Sequence, residues 1–278
     1  MSSGRDRDGY PEADQTMEVR MKFSLITVTM GDRPAELQRL KDSLARQTFR
    51  DFEHIVIDHR EHPELKGGLS RARNLGLALA EGDVVAFPDD DAWYGPKTLA
   101  DAAVALSDEK CDGISFRVVD ETGACSAGGW MSAGRKAMTR ATVWHTAVSC
   151  SFFIKRKVLG EVRLDERLGA GSGTRFGSGE ETDFLLSLIE RGVRIAYDGT
   201  KTVFHPSFSG VYTVCRGWLY GNGYGATLRK HRYGLLHLAW GVGVQLARAL
   251  QSLAVCRVRK AAFHFAMSVG RLMGYLFV

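Results

Sequence analysis

Residues 70–96 read SRARNLGLALAEGDVVAFPDDDAWYGP, and this stretch decides the architecture. Together with the preceding Leu69, its first part, up to Gly82, has helical spacing and closes on a glycine suited to a helix C-cap. Residues 83–91, DVVAFPDDD, then read as a buried strand that runs directly into three aspartates. Toward the N-terminus the alternation repeats. Residues 23–29, FSLITVT, are β-branched and apolar and predict a strand, with GDRP as the turn after it. Residues 35–47 place Leu37, Leu40 and Leu44 on one helical face, and residues 52–58, FEHIVID, predict a second strand ending at Asp58. Toward the C-terminus, residues 113–120 and 149–156 read as strands and 167–179 as a glycine-rich loop. Residues 180–192 read as a helix, and 193–199 and 202–205 as two short strands. Strands alternating with helices predict a mostly parallel α/β sheet covered on both faces.

The remaining composition excludes several classes. The chain has 278 residues, 45% hydrophobic and 25% charged, which suits one large soluble domain with an appendage rather than a fibrous, disordered or polytopic membrane protein. Five scattered cysteines with no C-x-x-C spacing argue against a disulfide framework or a structural zinc site, and fit a reducing cytosolic compartment. The first 20 residues are charged and lack an apolar h-region, so residues 1–21 read as a disordered tail. A net charge of +5 fits an anionic partner without selecting one.

In open α/β sheets, ligands bind at the carboxyl ends of the strands. Thr29, Arg33, Asp58 and the run Asp89, Asp90, Asp91 all fall there. No G-x-G-x-x-G follows the first strand and no P-loop is present, which excludes a dinucleotide site and a P-loop NTPase. Three consecutive carboxylates repel one another, and a divalent cation relieves that cost. Oxygen ligation suits Mg²⁺ or Mn²⁺, and Mg²⁺ characteristically binds one or two carboxylates together with substrate phosphates. A solvated acidic turn before Pro96 is the competing account. A second constellation, GSGEETDFLLSLIERG at 177–192, opens a helix with three acids, which the helix dipole alone would favour.

The R-N-x-G-x-x-x-A-x-G-D run ending at Asp83, followed by the aspartate triplet, resembles the inverting family 2 glycosyltransferases of GT-A fold. The resemblance covers roughly residues 22–206. It implies a nucleotide-diphospho-sugar transferase fold with a Rossmann-like mixed sheet, a nucleoside-diphosphate-sugar donor and a bound Mn²⁺ or Mg²⁺. Asp89 and Asp91 match the outer aspartates of the family's D-x-D, and Asp58 matches the acid that faces the nucleotide base. Arg73 and Asn74 match a donor-side pair, so that Thr29, Arg33, Asp58, Arg73, Asn74, Asp89 and Asp90 form the expected donor site. Glu181 matches the general base, with Asp183 as its competitor. Some members complete the metal shell with a histidine from the region of His205, although a lone histidine is also an ordinary structural residue. The chain departs from the family at Val28–Gly31, where Pro-x-Tyr-Asn is usual, and at His59–His62, where Gly-Ser-Thr-Asp is usual.

Residues 22–210 thus read as the catalytic domain and 211–278 as a C-terminal extension. Within it, His237, Gly241, Gln245, Arg248, Ser252 and Arg259 share one arc of a helix, and Arg257, Lys260, His264, Ser268 and Arg271 share another. Opposite each arc lie large apolar residues. Such helices suit peripheral attachment to the cytosolic face of an anionic membrane, weakened by salt, and hence a lipid-linked saccharide acceptor in surface polysaccharide or glycan biosynthesis. Packing on the catalytic domain is the alternative. Trp130, Trp144 and His145 are candidates for an acceptor pocket, and the run Arg229–Arg232 for a phosphate or headgroup contact. A sugar-phosphate nucleotidyltransferase would need a glycine-rich basic loop that GDRP does not supply. A non-catalytic basic binding module, a nucleic-acid binder included, is disfavoured because the basic residues sit in amphipathic helices.

Overall fold

The computed structural model describes residues 21–126, 131–207 and 211–278. The expected tail, Met21 apart, and Trp130 lie outside the described residues. Strands β1 (Phe23–Thr29), β2 (Phe52–Asp58) and β3 (Val84–Ala86) are parallel, in the order β2-β1-β3, and α1 (Pro34–Ala45) and α2 (Leu69–Leu79) connect them. After β4 (Trp93–Tyr94) and α3 (Thr98–Ser107) come β5 (Gly113–Val119), β6 (Arg135–Met138) and β7 (Phe152–Lys155), then α4 (Glu180–Ile189) and β8 (Ile195–Phe204). The full order is β2-β1-β3-β7-β5-β8-β4, with β6 also paired to β8. β1, β2, β3, β5 and β8 share one direction and β7, β4 and β6 run against them, so the sheet is mixed and mostly parallel, as expected.

Alternation along the strands divides the core in two. Phe23, Leu25 and Val84 face Leu40 and Leu99 on one side of the sheet. Ile26, Val85 and Phe152 face Phe184 and Leu188 on the other. The two short strands expected near residue 200 are one strand, β8. Its pairing with β5 slips between Phe116 and Arg117, where residues 199–201 form a bulge whose turn is held by Thr200 N–H donating to Asp198 Oδ1 at 2.9 Å. That local break is what read as a boundary.

The C-terminal segment is three helices, α5 (Val214–Lys230), α6 (Leu235–Ala254) and α7 (Val258–Leu276). The glycines of α5 look unfavourable for a helix, but Gly217, Gly221 and Gly225 repeat every fourth residue and lie against the backbone of α7. Gly270 and Gly274 return the contact from α7, so the two backbones touch with no side chain between them. Leu228, Tyr233, Leu238 and Tyr275 complete the core around Phe184, so these helices close one face of the sheet.

The polar arcs of α6 and α7 turn inward in part: Gln245, Ser252, His264 and Ser268 are buried, whereas His237, Arg257 and Arg259 are exposed. His264 Nδ1 and Gln245 Oε1 lie 2.7 Å apart, and Arg271 Nη1 donates to the Gly241 carbonyl at 2.5 Å. The apolar arcs are exposed, with Leu236 at 88% and Trp240 at 74%, and Leu250, Phe265, Leu272 and Leu276 continue the surface. An amphipathic pattern gives two faces but not which one is covered; here hydrogen-bond pairing across the helices covers part of the polar face. No helix among the described residues is long and apolar enough to cross a membrane.

Candidate active site

The strand ends gather the polar residues at one edge of the sheet. Thr29 and Asp58 are register partners at the ends of β1 and β2, and Asp89, Asp90 and Asp91 follow β3. His205 follows β8, whose Phe204 pairs with Trp93 of β4 and stacks on it at 5.4 Å. That pairing ties the loop after the triplet to His205, and His205 Nε2 lies 3.2 Å from Asp91 Oδ1.

Each member of the triplet already has an organic cation. Arg73, only 3% exposed, donates Nη2 to Asp89 Oδ1 at 2.8 Å. Asp90 points inward, 2% exposed, and pairs with Arg33 Nη2 at 2.8 Å. Asp91 accepts from Arg33 Nη1 and contacts His205. Arg33, Arg73 and His205 thus offset part of the repulsion within the triplet. Burial would raise the Asp91 pKa, but the His205 hydrogen bond and the charges of His205 and Arg33 hold it down. Burial would likewise lower His205, yet the Asp91 hydrogen bond and the Asp89 and Asp91 charges lift it to about 9. Among the described residues, no three His, Cys, Asp or Glu side chains converge as a ready-made metal shell. The adjacent pair Asp91 and His205 nonetheless fits a cation that takes few protein ligands and completes its shell with phosphate and water.

The other expected donor residues are placed as follows. Asp58 is clamped by Arg60, with Nε on Oδ1 at 3.0 Å and Nη2 on Oδ2 at 2.5 Å, which holds its pKa at about 2. Thr29 Oγ1 accepts from Gly31 N–H at 3.0 Å. Asn74 is committed to the backbone of Leu164, donating Nδ2 to its carbonyl at 2.9 Å and accepting its N–H at 3.0 Å, so its amide fixes a loop.

Helix α4 sorts its three first-turn acids onto three partners. Successive residues are 100° apart on a helix, so acids at 180, 181 and 183 point in different directions. Glu180 faces Arg73, with Oε1 3.6 Å from Nη1. Asp183, 1% exposed, is held by Lys230 Nζ at 2.8 Å and His231 Nε2 at 2.8 Å, and His231 Nδ1 lies 3.0 Å from Glu190. The basic run Arg229–Arg232 is therefore in part an internal clamp on α4 rather than a free anion site. Glu181 alone opens into a cavity of about 370 Å³, also lined by Trp144, His145, Tyr224, Arg248 and Arg271. Burial first, and the Glu180 charge second, push its pKa up to about 8. Ser149 stands between Glu181 and the triplet: its Oγ donates to Asp89 Oδ2 at 3.1 Å, and its hydroxyl partly offsets the upward shift of Glu181. Ser149, Arg60, Arg248 and Arg271 were not singled out from the sequence as site residues. Ser149 has no pattern that marks it; Arg60 stands two residues after a strand-end aspartate, the one usable signal.

Residues 59–163 match the family model described as glycosyl transferase family 2. Part of the chain is 31% identical over 121 residues to the poly(ribitol-phosphate) β-N-acetylglucosaminyltransferase TarS of Staphylococcus aureus, a match taking in 35% of this chain but only 21% of that protein. Among solved structures, S. aureus TarS 1–349 in complex with UDP-GlcNAc superposes with a TM-score of 0.56 at 16% identity, over 93% of each chain. The mannosyltransferase PcManGT of Pyrobaculum calidifontis, in complex with GDP-Man and Mn²⁺, gives 0.55 at 16% identity, over 91% of this chain and 87% of that one. At such identities the structures speak for the shared GT-A fold, and residues 59–163 carry the resemblance to glycosyl transferase family 2.

Proposed function

We propose that this chain is an inverting, metal-dependent glycosyltransferase. It moves a sugar from a nucleoside-diphosphate-sugar donor to a saccharide acceptor, lipid-linked and presented at the cytosolic membrane face, in surface polysaccharide or glycan biosynthesis. Residues 22–210 form the catalytic body and residues 211–278 the attachment helices. The observation that carries the reading is the position of Glu181, an acid opening into a cavity, with Ser149, which donates to Asp89 of the triplet, beside it. TarS, solved with UDP-GlcNAc, supports a uridine diphosphate donor.

The donor lies across the strand ends. Thr29, Asp58 and Arg60 face its nucleoside side, while Arg33 and Arg73, now bound to Asp90, Asp91 and Asp89, hold the diphosphate region in place. Asn74 keeps the loop around Leu164 in position beneath it. A divalent cation held by Asp91 and His205, with Asp89 beside them, would supply charge neutralisation on the leaving diphosphate. Glu181 accepts the proton of the acceptor hydroxyl, which is a poor nucleophile without a positioned carboxylate. Attack from the cavity, opposite the diphosphate, inverts the anomeric centre in one displacement. Asp183 has no part in proton transfer because Lys230 and His231 occupy both of its oxygens. The exposed apolar arcs of α6 and α7 provide the membrane contact.

The test is transfer and donor binding in parallel. Calorimetry with UDP and Mn²⁺ should show metal-dependent binding that Asp91→Asn abolishes. Glu181→Gln should keep that binding and lose turnover by about 10² or more, the scale for a general base. Turnover by Glu181→Gln close to that of the unaltered protein would overturn the assignment.

A further inference from the structure

The cavity beside Glu181 is walled on one side by α6, and a second cavity, of about 770 Å³, continues along the same helix. His237, Gly241, Val244 and Arg248 line the first, and Arg248, Gln251 and Val255 line the second. These positions advance by four and three residues in turn, so they fall within an arc of about 80° and form one strip. At a rise of about 1.5 Å per residue, the strip from His237 to Val255 is about 27 Å long. Gln245 lines both cavities and stands where they meet. It is only 3% exposed, and one end of its amide is hydrogen-bonded to His264 Nδ1, at 2.7 Å. The other end has no hydrogen-bond partner among the described residues.

The lining of this groove matches one kind of ligand. Trp144 and Tyr224, their ring centroids 4.7 Å apart, stand at the Glu181 end. Tyr212, Tyr220 and Phe263 line the far cavity together with Gln251 and Ser252, and among the described residues no carboxylate lines it. Aromatic rings present apolar faces to the C–H surface of a sugar ring, while amides and hydroxyls both give and accept hydrogen bonds, as sugar hydroxyls do. A buried amide with one end unpaired calls for such a partner. An extended peptide would seek a strand edge, whereas the walls of the far cavity are α5, α6 and α7, whose backbone groups are spent within the helices. We infer that the groove along α6 holds a glycan chain, namely the acceptor sugars that precede the reacting one. The terminal sugar places its hydroxyl at Glu181, and the sugars behind it pass Gln245 and leave at the α6–α7 turn. The inference rests on the reading of Glu181 as the base and adds to it the class of acceptor, a chain of several linked sugars, neutral or anionic, rather than a single sugar.

The experiment is an array of immobilised glycans, single sugars through octasaccharides, neutral and phosphate-bearing, probed with labelled full-length protein; UDP binding in Mn²⁺ is measured separately by calorimetry. Retention that strengthens with chain length is expected. Gln251→Ala, at an exposed position on the rim, should weaken binding of the longest chains by about three- to tenfold, one hydrogen bond's worth, and leave single sugars and UDP unaffected. Gln245→Met, which keeps the length of the side chain and removes its amide, should do the same; if it lowers the melting temperature, Gln251→Ala carries the test. Glu181→Gln should leave glycan binding in place. Loss of UDP binding beside length-dependent glycan binding would strike the transferase reading alone. With UDP bound, three results overturn the inference: no glycan retained, retention independent of chain length, or length dependence unchanged in a folded Gln251→Ala protein. Alkyl-linked single sugars retained as well as the long chains would put an alkyl chain in the groove and overturn it too.

Discussion

Replacing Gly274 by alanine tests the contact that holds the C-terminal helices together. A Cβ built there would lie 2.7 Å from Asn222 Cα and 2.8 Å from its carbonyl carbon, and closer still to the carbonyl oxygen. Carbon atoms sit comfortably at about 3.5–4.0 Å, so α5 and α7 must separate by about 1 Å. Backbone lies on both sides, so no rotamer change relieves the clash. Overpacking of this kind costs about 1–3 kcal/mol, and the upper end applies here. Alanine returns about 1 kcal/mol through its helix propensity, leaving a net loss of about 2 kcal/mol. For a chain of this size that is a fall of about 4–8 °C in melting temperature. Gly243 is the matched control, also inside a helix, with nothing within 4 Å of its Cβ. Gly243→Ala should raise stability by about 0.5–1 kcal/mol. Thermal melts followed by circular dichroism measure both. A Gly274→Ala protein that melts within a degree of the unaltered chain, or a pair of variants shifting in the same direction, would refute the account of close helix packing.

Asp183→Ala should destabilise the fold by about 3–5 kcal/mol, because Lys230 and His231 lose a buried partner, whereas Glu181→Gln should melt near the unaltered chain; urea titration separates the two. The rate of transfer, plotted against pH, should climb through a pKa above the ordinary glutamate range, since Glu181 is lifted to about 8 before substrates bind and only its deprotonated form accepts a proton; a profile flat from pH 5 to 9 would argue against Glu181 as the base. EDTA should leave the melting temperature unchanged while removing UDP binding, because Arg33, Arg73 and His205 already offset the aspartates; a large drop in melting temperature in EDTA would show the triplet to be a structural metal site. Sedimentation with anionic vesicles should persist in high salt, since the exposed arcs of α6 and α7 are apolar; release of the protein by salt would return the basic residues to the membrane side.

The sequence reveals the parts of this molecule governed by local chemistry. β-branched runs, helical spacing and strand-end acids located β1, β2, β3, α1, α2 and α4 and put Thr29, Asp58 and Asp89–Asp91 at one edge. What it could not reveal depends on partners far along the chain. Glu181 and Asp183 are equivalent as letters in a first turn, yet differ by 200° around the helix axis, so one meets a cavity and the other the core. The glycines of α5 weaken any local helix preference and make sense only once α7 lies against them. Asn74 stood in a donor motif, and only the fold shows its amide spent on Leu164.

The clamp on Asp183 also has a consequence for synthesis. The cations that hold it stand 47 and 48 residues downstream, on the last turn of α5 and just past it. At about 5–20 residues per second, a ribosome delivers them about 2–10 s after the aspartate itself. During that interval α4 carries an acid it cannot bury, and its apolar face cannot settle against Phe152 and Phe87 without taking an unmatched charge inside. The nascent chain therefore holds this face of the sheet open until α5 emerges, and a translational pause placed between residues 183 and 230 would lengthen the period in which Phe184, Leu185 and Leu188 are presented to chaperones instead of to their own core.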